Sequence, residues 1–171
     1  MITLNDIKRE YNRLSELYGD TFSVPVKVNS RLVRTHGQCI SELDEEDGYY
    51  YPTEIHISER VLQTATDETI MSICRHEWVH YYLGKTEPWA NHGHDAAFKH
   101  ICAQIGCSGN ATDSLELREG VNEWDSYKYI IVCPHCGPVG GRTRLCDAIR
   151  HPEMYKCKKC GHSGLEVRVN Q

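Results

Sequence analysis

No stretch of this chain approaches the ~18 consecutive apolar residues needed to cross a bilayer, so no membrane partner is expected. The opening Met1-Ile2-Thr3-Leu4-Asn5-Asp6 lacks the basic n-region and the apolar h-region of a secretion signal. The cytoplasm is therefore the expected compartment. Nor is there a disulfide framework. The nine cysteines are odd in number, and four of them stand in two Cys-x-x-Cys pairs. Without a secretion signal, that usage favours metal binding over disulfides. A chain of 171 residues can bury one core plus a small appendage.

What is present is Cys74-Arg75-His76-Glu77-Trp78-Val79-His80, which contains His-Glu-x-x-His. Residues four apart share one face of an α-helix, so His76 and His80 can bind a single metal ion. Glu77 lies beside them as general base. Two imidazoles and a carboxylate are what a zinc hydrolase needs. The chain has ten histidines, so the plain alternative is an exposed helix that happens to carry two of them. The local pattern argues against it. Thr66 or Asp67 can cap the helix, and Asp67 and Glu68 suit the positive end of its dipole. Ile70, Ile73, Cys74, Glu77, Trp78 and Tyr81 recur at helical spacing. A mostly apolar face broken at Glu77 places that carboxylate in a cleft. Gly84 is expected to end the helix in the left-handed conformation.

A catalytic zinc takes three protein ligands. A second helical pattern, Ala97, Phe98, Ile101, Cys102 and Ile105, ends at Gly106, and His94 stands at its start. His94 is the preferred third ligand and His92 its rival. Glu116, Glu119, Glu123 and Asp125 are more distant alternatives. The longer metzincin pattern is missing, because Gly84 falls one residue late and Glu87, not histidine, stands three residues after it.

The tail carries Cys133-Pro134-His135-Cys136-Gly137 and Cys157-Lys158-Lys159-Cys160-Gly161, with twenty residues between the pairs. Two matched knuckles, each followed by glycine, predict a structural Cys₄ zinc site at Cys133, Cys136, Cys157 and Cys160. The glycine lets each turn aim backbone N–H groups at the sulfurs. A redox pair is the alternative for either knuckle. Strands are expected at 127–132, 142–146, 154–156 and 165–169. So small a module has too little core to fold without its metal. Cys39, Cys74, Cys102, Cys107 and Cys146 read as small buried residues, and His135, His151 and His162 as surface ones.

Elsewhere, Thr3 and Asp6 suggest a capping box for a helix over 3–19, with Ile7, Tyr11, Leu14 and Tyr18 as its apolar stripe. Strands are expected around 24–28, 32–40 and 53–57. Pro52 assigns the last to a sheet edge, with His56 on its surface. The acidic run at 42–48 reads as a solvated turn. Residues 1–126 hold 11 Lys+Arg and 21 Asp+Glu, whereas residues 127–171 hold 8 and 3. A basic tail on an acidic body is a modest sign of nucleic-acid binding, against the plain alternative of a solvated surface.

These pieces resemble the SprT-like metalloprotease family, which includes the DNA-repair protease Spartan. The resemblance rests on His76-Glu77-Trp78-Val79-His80, on Gly93-His94 with Phe98, and on the C-terminal cysteine pairs. The segments Asn29–Gly37 and Ile55-His56-Ile57-Ser58 add to it. The family often has Gly-Pro after the third histidine, where this chain has Asp95-Ala96. Asp95 is expected to cap the second helix instead. The resemblance implies that the strand at 53–57, as an edge strand beside the active-site helix, holds the substrate backbone. It also implies substrates associated with, or crosslinked to, DNA.

The expected fold is α+β. A zincin-like small sheet with helices carrying the His-Glu-x-x-His occupies residues 1–126, and a β zinc ribbon occupies 127–171. The expected function is zinc-dependent peptide hydrolysis of a protein substrate, with Glu77 as catalytic base. His76, His80 and His94 are the ligands of a catalytic Zn²⁺, and the four cysteines hold a structural one. DNA is a candidate partner through the ribbon. A second oxyanion donor is sought without ranking among the tyrosines at 49–51, 81–82, 127 and 129. The alternative function is a non-catalytic nucleic-acid-binding ribbon protein.

Overall fold

The computed structural model of the protein describes residues 1–32, 35–110 and 115–170, and shows a mixed α+β fold. Residues 33 and 34, which fall within the expected 32–40 strand, and residues 111–114 lie outside the described residues. The chain forms two compact units, Met1–Arg118 and Glu119–Gln171.

In the first unit, helix α1 (Leu4–Leu17) begins with the expected capping box between Thr3 and Asp6. Its stripe of Ile7, Tyr11 and Leu14 is fully buried. Strands β1 (Val26–Asn29), β2 (Gly37–Leu43) and β3 (Tyr50–Ser58) form a sheet in the order β1-β3-β2. β1 runs parallel to β3, and β2 antiparallel to it. The strand containing 53–57 is therefore central, which corrects the edge assignment drawn from Pro52. The missing N–H at Pro52 is tolerated for two reasons. β1 pairs only with Ile55–Ser58, so at Pro52 one side of β3 is unpaired by β1. On the other side, Pro52 meets Ser41 where the β2 ladder shifts register.

Helix α2 (Glu59–Thr64) leads into the long helix α3 (Asp67–Thr86). Thr66 caps α3 by accepting from the Thr69 N–H. α3 continues through Gly84 to Thr86, which corrects the expected stop. That glycine serves close approach: a Cβ there would lie 3.4 Å from the Pro52 ring. Trp78 anchors the far side of α3. It is fully buried, and its indole N–H donates to Ser15 Oγ of α1 at 3.0 Å. Removing a buried side chain of that size costs about 3–5 kcal/mol. Arg75 adds a polar tie, its Nε 2.8 Å from Glu10 Oε1. Arg13, and then Arg75 against partial burial, hold the Glu10 carboxyl down at about 2. Helix α4 (Ala96–Ile105) is capped by Asp95 and closed by Gly106 at φ 72°.

The second unit is built on β4 (Tyr129–Cys133), β5 (Gly137–Arg142) and β6 (Glu166–Val169), ordered β5-β4-β6 and antiparallel throughout. A short helix α5 (Asp147–Arg150) follows β5. The strand expected at 142–146 thus lies earlier, directly after the first knuckle. Over 154–156 there is a 3₁₀ turn (Pro152–Met154) and a single bridge from Lys156 to Ser163 instead of a strand.

The division falls at 118/119, where the sequence reading placed it at 126/127. Asn170 Nδ2 donates to the carbonyls of Trp124 and Tyr127, which ties the preceding loop to the ribbon. Drawn there, the second unit holds eight Lys+Arg and six Asp+Glu, a weaker basic excess than the tail alone suggests. Among the described residues, no helix is long and apolar enough to cross a membrane.

Candidate functional site

The helical spacing of His76 and His80 puts both rings on the cleft side of α3, and the turn before α4 brings His94 to them. One nitrogen from each ring lies within 4.8 Å of the others, and His94 Nε2 is 3.0 Å from His76 Nε2. Tetrahedral zinc with ~2.0–2.1 Å bonds needs nitrogens about 3.4 Å apart, so the donor set fits that ion after small adjustments. Phe98, one helical turn after His94, forms a common floor. Its ring centroid lies 4.8, 4.3 and 4.8 Å from those of His76, His80 and His94.

The tautomers suit ligation. His76 Nδ1 lies 2.8 Å from the Ser108 carbonyl, so it donates there and presents Nε2, as the acceptor nitrogen, toward His94. Burial, reinforced by His76 and His94, pushes His80 down to about 3, which keeps it neutral. His92 stands apart from the trio. Its two nitrogens meet Asp95 at 2.9 Å and Glu87 at 3.2 Å. None of Glu116, Glu119, Glu123 and Asp125 joins the histidine cluster.

Glu77 is a buried carboxylate, only 7% exposed, on the wall of the same cleft. Burial raises its carboxyl to about 8, and the Cys39 backbone N–H, which donates to it, acts in the opposite direction. A cation at the histidines favours the ionised form. Cys39 lies on β2, which pairs only with β3 among the described residues. The Ser58 N–H donates to the His36 carbonyl at 3.0 Å. Main-chain groups alternate in direction along an antiparallel strand, so those of Gly37 and Cys39 face the open side. The cleft, about 970 Å³, is lined by Gly37, Gln38, Cys39 and Ser41 along β2 and by Tyr50, Trp89, His76, Glu77 and His80.

Of the tyrosines considered as oxyanion donors, Tyr50 lines this cleft. Tyr81 is buried and donates to the Thr21 carbonyl, and Tyr51 donates to Asp47. Tyr127 and Tyr129 belong to the second unit. Sequence reasoning missed the Ser108 carbonyl and the Cys39 N–H, which as backbone groups leave no trace in residue identity. It also gave no role to Gly37, although the chain reversal before a β-strand was a place to look for a close approach.

In the second unit, one sulfur from each of Cys133, Cys136, Cys157 and Cys160 lies within 4.8 Å of the others. The Cys133–Cys160 separation is 3.7 Å, close to the about 3.8 Å edge of a zinc tetrahedron with 2.3 Å bonds. Burial pushes the Cys157 thiol up, but N–H groups of Cys160 and Lys159, together with neighbouring thiols, bring it down to about 7. Gly137 and Gly161 take φ of 74° and 75°, the left-handed turn each knuckle requires. Of the other cysteines, Cys74 and Cys102 are buried, while Cys39, Cys107 and Cys146 are half-buried.

The sequence model of the SprT-like family matches residues 4–118. A curated relative, "Protein SprT-like" of Lactiplantibacillus plantarum, is 31% identical over 107 residues. That alignment covers 63% of this chain and 66% of the relative, just under two thirds of its length. The family match spans the unit that holds the histidine cluster, Glu77 and the open strand. This chain belongs to the SprT-like family.

Proposed function

We propose that the protein is a zinc-dependent metallopeptidase with a zincin-like first unit. The observation that carries this reading is the placing of a buried carboxylate, Glu77, beside three convergent imidazoles on the wall of an open cleft. When bound, zinc supplies Lewis acidity to a water molecule and to a peptide carbonyl. His76, His80 and His94 would hold the ion. Glu77 takes the proton of the attacking water and delivers it to the departing amine. The open side of β2 offers main-chain groups to an extended substrate strand, so the substrate-holding role expected of 53–57 moves to β2. A cleft walled by a strand edge suits a polypeptide better than a compact small molecule.

His94→Ala is expected to weaken zinc binding at this site at least about 100-fold, more than loss of an outer-shell partner costs. His92→Ala is expected to leave it within a few-fold. Zinc titration of both variants against a competing chelator checks the assignment. Equal weakening, or an effect confined to His92→Ala, overturns it.

DNA-associated proteins are the proposed substrate class. All eight Lys and Arg of the second unit are exposed, which supports contact with a polyanion, although the unit's net excess is small. The test is cleavage of a DNA-binding protein by the zinc-loaded chain, with and without DNA and after chelation. Cleavage that requires metal and rises with DNA supports both parts of the reading. Metal-dependent cleavage indifferent to DNA keeps the peptidase and removes the substrate class. DNA binding without cleavage moves the weight to a non-catalytic binding protein.

A further inference from the structure

Gly37 has no conformational reason to be glycine, since it is not among the positive-φ residues. Its backbone is ordinary strand, paired opposite Ile57 in the β2–β3 ladder. Space is the reason. A Cβ built on Gly37 would fall 2.6 Å from Glu77 Cγ, 2.7 Å from Oε1 and 2.9 Å from Cδ. Ordinary carbon contacts begin near 3.5 Å, so all three separations are deep overlaps.

Neither side can yield easily. The strand is held by β3 on both flanks of the contact, through the Ser58–His36 hydrogen bond and the Cys39↔Ile55 pairing. Glu77 is 7% exposed on a packed helix, and its carboxylate takes the Cys39 N–H. Gly37 and Cys39 therefore act as two halves of one seat. One leaves room for the carboxylate, and the other, two residues on and facing the same side, hydrogen-bonds it.

We propose that Gly37 is a positioning residue for Glu77, its missing side chain letting β2 fix the carboxylate beside the histidine cluster. The catalytic half of this inference rests on the peptidase reading. Its geometric half does not. A methyl group at position 37 moves the carboxylate or the strand by roughly an ångström, and misplacement of that size costs about 100-fold in rate. Because the clash is with Glu77, and the three metal ligands are untouched, binding of zinc is left alone.

The test uses the full zinc-loaded chain. Gly37→Ala is expected to lower kcat about 100-fold with KM changed less than about threefold and zinc content unchanged. It is also expected to lower the unfolding temperature of the first unit. The second measurement compares that fall with the fall caused by Gly37→Ala in a Glu77→Ala background. There the atoms met by the new methyl are gone, so the fall should largely vanish. Retained kcat in Gly37→Ala overturns the catalytic half. An equal fall in unfolding temperature in both backgrounds overturns the geometric half, since the methyl then clashes with something other than Glu77. A parental chain without peptidase activity overturns the catalytic half together with the peptidase reading, and the unfolding comparison still decides the geometry.

Discussion

Glu77→Gln is expected to reduce peptide hydrolysis by about 10²–10⁴-fold, the range that a positioned general base contributes. The amide is nearly the same size as the carboxylate, so it fits the space beside Gly37 without repacking. Its carbonyl oxygen can still accept the Cys39 N–H that Glu77 accepts. What it loses is the ability to take a proton. Zinc content and the unfolding temperature should therefore stay close to the parental values while kcat falls. Turnover of a protein substrate, read beside metal content, checks this. Unchanged turnover shows that hydrolysis uses another base. Loss of zinc along with activity shows that Glu77 supports the metal site instead of acting as base. The burial of Glu77 sharpens the contrast. An ionised carboxylate in this position is unfavourable unless a cation stands beside it, so a purely structural role is served as well by the neutral amide.

The parts of this site that were legible in the sequence are those set by short-range backbone geometry. The four-residue spacing of His76 and His80 fixes a shared helical face. The two-residue gap in each Cys-x-x-Cys fixes a knuckle. Asp95 was expected to cap the second helix, and it does so, accepting from the Phe98 N–H at 2.9 Å. The parts that were not legible depend on what the chain meets far away. Gly84 was read as a helix stop because glycine there permits a left-handed residue. In the fold the same missing Cβ lets α3 lie against Pro52. Pro52 was read as an edge signal, and locally that is sound, since the stretch of β3 it occupies lies outside the β1 pairing. Strand order is a long-range property that one proline cannot report. Gly37 shows the same limit most sharply. A glycine at the start of a strand has several meanings, and only the position of Glu77, forty residues on, selects among them.

Cys133→Ser is expected to unfold the second unit while the first keeps its own core. The five buried residues of that unit's cluster are Ile131, Cys133, Ile149, Cys157 and Leu165, and two of them are proposed zinc ligands. Apolar burial on that scale does not offset the conformational entropy of ordering a module of this size. A structural zinc in a comparably small module contributes about 10–16 kcal/mol of apparent binding energy, which becomes folding energy. Serine at position 133 removes one thiolate and leaves three that hold the ion far less tightly. The observable consequences are loss of one zinc per chain and rapid proteolysis after residue 118. Activity on a protein substrate free of DNA should persist, because every residue of the proposed catalytic site lies within Met1–Arg118. DNA-dependent stimulation should disappear with the folded ribbon. A Cys133→Ser chain that keeps both zinc ions and a protease-resistant second unit would show that the four cysteines are not the metal-dependent fold they resemble. It would also return the knuckles to the redox alternative, which predicts a disulfide on mild oxidation and no requirement for metal.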